Sequence, residues 1–390
     1  MAVDFSNTEV AFKSKSDREL NKAYWLFKMV GSPTLVNVGK SMTSFALAIR
    51  FPIKWAVKPT IFAQFCGGET INECTSTIEV LNKHGVGTIL DYSLEGKESE
   101  ADLDATRDEI IRTIERAKSD DAIPFAVFKP TGISKFSILE KANNSLEGLS
   151  QLDRKGYDSF YERMDAICSQ AHRLNVPLFV DAEDSWIQDT IDRACEEMMI
   201  KYNKENAIIY TTVQMYRWDR LDYLKKLQRL AEEHSIKIGV KLVRGAYMEK
   251  ERERAKEKGY KDPIQPNKKA TDDDYNAALA FCLEHISNFA ICAGSHNEDS
   301  ANVLVDLINK NNLSLNDSRV YFAQLLGMSD HISFNLSSLG YNVAKYVPYG
   351  PVREVMPYLI RRAQENTSVA GQTSRELNLL KKERLRRKGK

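Results

Sequence analysis

The 390 residues carry 55 Lys+Arg against 54 Asp+Glu, with 43% hydrophobic and 9% aromatic side chains. That apolar content can bury a sizeable core and excludes a disordered or fibrous chain, while the near-zero balance argues against a nucleic-acid partner. The charge is unevenly placed: residues 381–390 (KKERLRRKGK) hold seven basic side chains against Glu383, a sum of +6, so the rest is mildly acidic and the end reads as a basic tail.

The start, MAVDFSNTEVAFKSKSDREL, has no apolar core followed by a small-residue cleavage site, and its acids argue against a transit peptide. No cleaved address is expected, and the expected location is the cytoplasm, with peripheral contact on the inner face of a membrane left open. The apolar stretch Phe45 to Phe65 is interrupted by Arg50, Pro52, Lys54, Lys58 and Pro59, which disfavours a spanning helix. Residues 1–66 are expected as a helical arm and FCGGETINECTSTIEVLNKHG as a helix leading into the first strand, so residues 1–84 precede the main domain. Gly85 then serves as a helix C-cap. From there short β-rich runs alternate with amphipathic stretches: TILDYS (88–93), PFAVFKPTG (124–132), VPLFVDAED (176–184), AIIYTTVQMY (207–216), KIGVKLVRGAY (237–247), NFAICAGSHN (288–297), RVYFAQLLG (319–327) and AKYVPYG (344–350). The stretches between include 99–118, 155–174, 185–203, 219–235, 271–286 and 299–311, with Asp219, Asp272 and Asp299 at or near helix starts as caps. Eight strand-helix units imply an α/β fold, a (β/α)8 TIM-like barrel over 85–370, with 371–390 as a basic tail. No strand run is followed by a glycine-rich nucleotide fingerprint. The six cysteines show no CxxC or Cys/His spacing, so they read as reduced thiols and no metal is expected.

Catalytic groups of such a barrel lie at the C-terminal strand ends. Those ends carry Asp91, Lys129, Asp181 with Glu183 and Asp184, Gln214, Lys241 with Arg244 and Tyr247, His296, Gln324 and Tyr346, whereas the strand middles are apolar. In PYLIRRAQEN, Tyr358, Arg361, Arg362 and Glu365 fall at i, i+3, i+4 and i+7 and share one helix face. Pro348 and Gly350 lead from the eighth strand into that final helix, which is expected over the barrel mouth. Two guanidinium forks there, with Lys129, suit a carboxylate; a solvated Arg face is the plain alternative. In VKLVRGAY the small pair Gly245-Ala246 lets a flat or phosphorylated ligand approach the backbone, flanked by Lys241 and Arg244. The alternative is a tight turn whose cations pair with nearby acids.

KLVRGAY followed by MEKERERA, SHNEDS, YFAQLLGMSDHISFNL and KYVPYGPVREVMPYLIRRAQENTS, with TIFAQFCGGETINE and VDAEDSW, together resemble the proline dehydrogenase family, in order from about residue 60 to 370. The resemblance implies an FAD-dependent barrel enzyme that oxidises L-proline to 1-pyrroline-5-carboxylate, the first step of proline catabolism, and passes electrons to a membrane quinone. The chain is too short for the aldehyde dehydrogenase that large bifunctional members append. Carried over by position, Lys129, Arg361 and Arg362 match the clamp for the proline carboxylate, with Tyr346 and Tyr358 lining its ring. Asp181 and Lys241 match catalytic positions. Ala182, Gln214, Arg244, Gly245, Ala246, Ser295 and His296 match positions that hold FAD, and Glu365 joins that set. Many bacterial members carry Arg at the position of Lys241 and Lys at that of Arg244, so the hydrogen-bonding fork is moved here. Two rivals follow: a trans-4-hydroxy-L-proline dehydrogenase, disfavoured by the bulk of Tyr346, and a carboxylate-binding barrel without redox chemistry.

Overall fold

The computed structural model describes residues 3–32, 34, 54–93, 98–368 and 372–389. Eight strands close into a barrel in chain order. They are β1 (Val86–Tyr92), β2 (Phe125–Phe128), β3 (Leu178–Val180), β4 (Ile209–Gln214), β5 (Ile238–Val243), β6 (Phe289–Gly294), β7 (Val320–Leu325) and β8 (Val343–Tyr349). Each apolar run in the sequence supplies one strand, but most strands are shorter than their runs. Strands of a parallel sheet are covered on both faces and favour apolar residues, so the chain leaves the ladder where polar residues begin. In VPLFVDAED only Leu178–Val180 is strand, and Asp181 opens the loop.

The chain divides into two compact units, one spanning 94–323 and the other 3–93 with 324–390. In the first, β2 to β6 and the start of β7 pair in parallel. Their interior is an aromatic layer. Phe125 stacks on Phe179 at 4.4 Å between centroids, and Tyr210 and Tyr321 meet Phe125 edge-on at 5.7 and 4.8 Å. A Cβ on Gly239, which registers against Tyr210, would lie 2.4 Å from that ring, so the glycine makes room for it. The outer helices begin at caps the sequence reading passed over: the side chains of Ser99, Ser150, Asn267 and Asn297 each accept a first-turn backbone N–H. The expected carboxylate caps are not made by Asp219 or Asp272. Asp219 stands at a helix start but gives its oxygens to Arg217 and Arg220, and Asp272 lies inside the helix Lys268–Glu284 and pairs with Lys268 and Arg244. Arginine is the stronger partner because the interaction is charge-assisted on both sides.

In the second unit β1 pairs with β8 from Val86↔Val343 to Tyr92↔Tyr349. The lead-in helix starts later than expected: a 3-10 turn at Asn72–Cys74 precedes the helix Thr75–Asn82, and residues 66–68 run extended beside β8. Gly67 donates its N–H to the Pro348 carbonyl at 2.9 Å, and a Cβ there would lie 2.5 Å from Val347, so the Gly-Gly pair serves close strand approach and not helix. Gly85, at φ +69, ends the helical stretch. The N-terminal helix Asp17–Val30 opens on a capping box of Ser16 and Glu19. The apolar part of the expected arm between residues 35 and 53 lies outside the described residues.

Residues 371–390, expected as a basic tail, are largely one helix. The helix Gln372–Arg387 packs on the N-terminal helix through Leu379 and Leu380, in one apolar cluster with Phe12, Leu20, Phe27 and Leu359. Two of its basic side chains reach back to the protein's first residues, while Lys381 and Lys388 stay exposed. Arg387 donates to the carbonyls of Phe12 and Lys15 at 2.9 Å and pairs with Asp17 at 2.8 Å, while Lys382 reaches the Ser6 carbonyl at 2.8 Å. Net charge in a sequence does not reveal partners that only folding supplies. Glu383, with a fully covered side chain, accepts from both Arg386 and Arg387 at 2.8 Å. Burial raises its carboxyl pKa, but the two arginines outweigh that and hold it below the ordinary range.

All six cysteines are free and buried, and among the described residues no helix is long and apolar enough to cross a membrane. Glu383→Ala removes the covered carboxylate shared by Arg386 and Arg387, and thermal unfolding of the full chain should show a loss of about 1–3 kcal/mol. An unchanged midpoint would mean that the Glu383 contacts contribute nothing to the fold.

Candidate active site

In the unit 94–323 the strand ends bring several of the expected residues together. Asp181 directly follows β3, its N–H donating to the Phe128 carbonyl at 3.0 Å. Lys241 lies in β5, in register with Thr212 and Cys292. Asp181 and Lys241 form an ion pair with side-chain exposures of only 13% and 7%. The Lys241 ammonium lies 5.3 Å from the Phe179 ring centroid, so the aromatic layer is the floor of the pair. Withdrawal from water makes such a pair costly to break: removing one partner leaves an uncompensated charge, at about 3–5 kcal/mol.

The loop after Asp181 is held from several sides. Glu183, to which the sequence reading gave no role, is buried, and its carboxylate accepts from the N–H of Thr131 at 2.8 Å and from its hydroxyl at 2.6 Å. Thr131 lies in the short 3-10 turn Pro130–Gly132, whose N-cap is Lys129. Gln214, the last residue of β4, donates its amide to the Glu183 carbonyl at 2.7 Å, and the Glu183 N–H donates to Gln188 at 2.8 Å. Glu183 was visible in VDAED, but an acid at a strand end carries no mark of its partner.

Arg244 follows β5 and spends three of its five N–H donors within the fold. It meets Asp272 at 2.7 Å, Ser295 at 2.7 Å and Ser300 at 2.8 Å, with its guanidinium 4.4 Å from the Tyr275 ring centroid. Both cations of VKLVRGAY therefore pair with acids. Ala182, partly exposed, follows Asp181 directly, and Ser295 and His296 follow β6. Gly245 and Ala246 are exposed at the strand end. Gly245 has φ +133, and a Cβ there would lie 2.5 Å from the Tyr216 ring. Tyr216 is itself fixed by its N–H to the Arg244 carbonyl at 2.7 Å. A bare backbone is thus presented between polar and cationic side chains.

In the unit 3–93 with 324–390, Tyr346 is buried in β8 and its carbonyl accepts from Leu326 at 2.8 Å. The helix Val352–Ser368 carries Tyr358 and Arg362, both nearly buried, with the guanidinium 5.2 Å from the tyrosine ring centroid, as their i, i+4 spacing requires. Arg361 is partly exposed beside them. Glu365 belongs to the same helix, but its side chain is outside the described residues. Burial pushes the Cys66 thiol of this unit far up, and that of Cys292 in the other unit up to about 12, so neither is a nucleophile at neutral pH. Among the described residues no group of three His, Cys, Asp or Glu is placed to hold a metal.

A family model described as proline dehydrogenase matches residues 74–375. The chain is 35% identical over 426 residues to "Proline dehydrogenase 1, mitochondrial" of Dictyostelium discoideum, covering 98% of this chain and 74% of that one. It is 31% identical over 422 residues to the "Hydroxyproline dehydrogenase" of Xenopus laevis, covering 99% and 90% respectively. Among solved structures, proline utilization A (PutA) from Bdellovibrio bacteriovorus inactivated by N-propargylglycine superimposes with a TM-score of 0.75 at 19% identity, a likeness of fold. It covers 95% of this chain, which spans 40% of the PutA chain.

Gly245→Ala places a side chain in a backbone region that costs about 1–3 kcal/mol and drives it into Tyr216. Thermal unfolding should register that loss. A midpoint equal to that of the unaltered protein would show that the Tyr216 ring moves aside freely.

Proposed function

This chain belongs to the proline dehydrogenase family, and on that premise we propose that it oxidises L-proline to 1-pyrroline-5-carboxylate, with FAD as the resident cofactor and a quinone as the final electron acceptor. The reaction removes a hydride from the ring carbon next to nitrogen and a proton from the amine, leaving a C=N bond. The observation that carries the reading is the buried Asp181–Lys241 pair beside the bare backbone of Gly245-Ala246, within a chain that the family model matches over most of its length.

The residues present fit a flavin. Gly245 and Ala246 leave bare backbone exposed at the strand end, and the neighbouring donor set of Gln214, Arg244, Ser295 and His296, with Ala182 small beside them, suits a flat ring system carrying phosphates. Gln214, Arg244, Gly245, Ala246, Ser295, His296 and Ala182 would hold it. FAD supplies the two-electron acceptor that no side chain provides. Lys241 keeps a fixed positive charge where negative charge develops, and Asp181 fixes its position. Arg361, Arg362 and Lys129 bind the proline carboxylate, two planar forks and one point charge. Tyr346 and Tyr358 bound the ring and exclude water. A quinone acceptor places the work at a membrane surface; the relative from Dictyostelium is named mitochondrial, and a peripheral station on such a membrane fits both.

The hydroxyproline dehydrogenase relative supports trans-4-hydroxy-L-proline as a second reading. Against it stands Tyr346, whose buried ring takes volume that a ring hydroxyl needs.

The purified protein should be yellow, and L-proline should bleach its flavin band without oxygen; a colourless protein that cannot be loaded with FAD would leave the non-redox carboxylate binder. Arg361→Met and Arg362→Met should each raise the KM for proline more than tenfold, from the loss of about 2–5 kcal/mol in a desolvated carboxylate contact, with flavin content intact. Unchanged proline affinity in both would end the clamp assignment. Tyr346→Ser should raise kcat/KM for trans-4-hydroxyproline relative to proline; equal losses on both substrates would show a structural role for the ring.

A further inference from the structure

We propose that Glu251 is a positioning residue of this reaction: its buried carboxylate clasps the loop 181–185 to the helix that follows β5, and so holds Asp181 against Lys241. The kinetic part of the inference rests on the proline-oxidation reading. Glu251 belongs to MEKERERA, the charged run after RGAY, and forms part of the helix Met248–Lys258. Met248, Glu249 and Lys250 are exposed there, as a charged helix demands, yet Glu251 has 0% exposure. A carboxylate so withdrawn from water needs donors.

They come from Ser185. Its N–H donates to Oε1 of Glu251 at 2.7 Å and its hydroxyl to Oε2 at 2.5 Å, across 66 positions of sequence. Ser185 opens the helix Ser185–Tyr202, and Asp184 at the cap position makes no side-chain cap bond. Glu251 therefore supplies from a distant helix the acceptor that a local cap would give, at the end where N–H groups lack partners and the helix dipole favours negative charge. Two further contacts tighten the same joint. Lys250 pairs with Asp184 at 2.7 Å, and Arg254 lies 4.2 Å from the ring centroid of Trp186. One side of the joint is the loop that begins at Asp181. The other continues without a break from Lys241 through Arg244, Gly245 and Ala246. The clasp thus fixes the spacing between the ends of β3 and β5, where the ion pair sits, while Glu251 itself touches neither member of it.

The test compares Glu251→Ala, Glu251→Gln and the exposed neighbour Glu249→Ala in the full chain with its flavin loaded. Amide hydrogen exchange is followed over residues 182–188 and proline kinetics are measured on the same preparations. Glu251→Ala should speed exchange in that segment and lower kcat roughly ten- to a hundredfold, since a shift of about 1 Å at a reacting group has that effect. KM for proline should stay within about twofold, because the carboxylate clamp is elsewhere. Glutamine keeps an acceptor for the Ser185 N–H and should restore both readouts, and Glu249→Ala should change neither. Unchanged exchange in Glu251→Ala, or equal losses in the alanine and glutamine variants, would overturn the proposal. If Glu251→Ala does not fold, Ser185→Ala removes one bond of the clasp and should move kcat and exchange the same way, with no change in either counting against it. A parent protein that fails to oxidise proline would sink the functional reading alone, because the exchange experiment tests the clasp without it.

Discussion

The strand ends of the 94–323 unit depend on a lysine and an aspartate paired with little access to water. Lys241 and Asp181 would each be unstable alone at such burial, and their attraction repays desolvation only if the geometry is fixed. The fold fixes it from below and from the side. Below, the ammonium rests over Phe179, one ring of the layer formed with Phe125, Tyr210 and Tyr321. From the side, the loop that starts at Asp181 is bonded in turn to Thr131, Gln214, Gln188 and Glu251. A close-packed floor transmits little slack, so the charged pair inherits the stiffness of the aromatic layer. Functional groups need that stiffness, because supporting contacts decide whether a site is held to within a fraction of an ångström.

The 3–93 and 324–390 unit solves a different problem. Its strand β8 carries Tyr346, and the adjacent Lys345 has no exposure at all. That ammonium pairs with Asp330 at 2.8 Å and donates to the Leu325 carbonyl at 3.3 Å, while Lys15 reaches the other oxygen of Asp330 at 3.2 Å. Burial alone would raise the Asp330 carboxyl, but the two lysines prevail and hold it well below the usual carboxylate range. The amino-terminal segment is thereby tied to α/β elements far along the chain. The carboxy-terminal helix completes the same assembly through Leu379, Leu380 and the Arg387 contacts. Lys382 and Arg387, which would attract an anionic surface if free, are instead committed to carbonyls and a carboxylate of the protein's own first residues, while Lys381 and Lys388 stay exposed.

The sequence by itself determined the barrel and its reading frame. Apolar runs at regular spacing, separated by amphipathic stretches, admit few other folds, and the position of each strand followed because burial on both faces leaves a continuous apolar signature. It also determined which polar residues stand at the strand ends, including Asp181, Lys241, Gln214 and Arg244, and the one-face spacing of Tyr358 and Arg362, since helical periodicity is a local property. Tertiary structure alone decided the partners. Asp272 looked like a helix cap and is the counter-ion of Arg244; the Gly67-Gly68 pair looked helical and lies against β8; the basic end looked like a tail and packs through Leu379 and Leu380. Glu183 and Glu251 gave no sign of their roles, because each bonds a residue more than fifty positions away. A charge pattern records what a side chain can offer, and only the folded chain brings near enough the group that accepts it, since electrostatic and hydrogen-bond energies act over a few ångströms and not along the sequence.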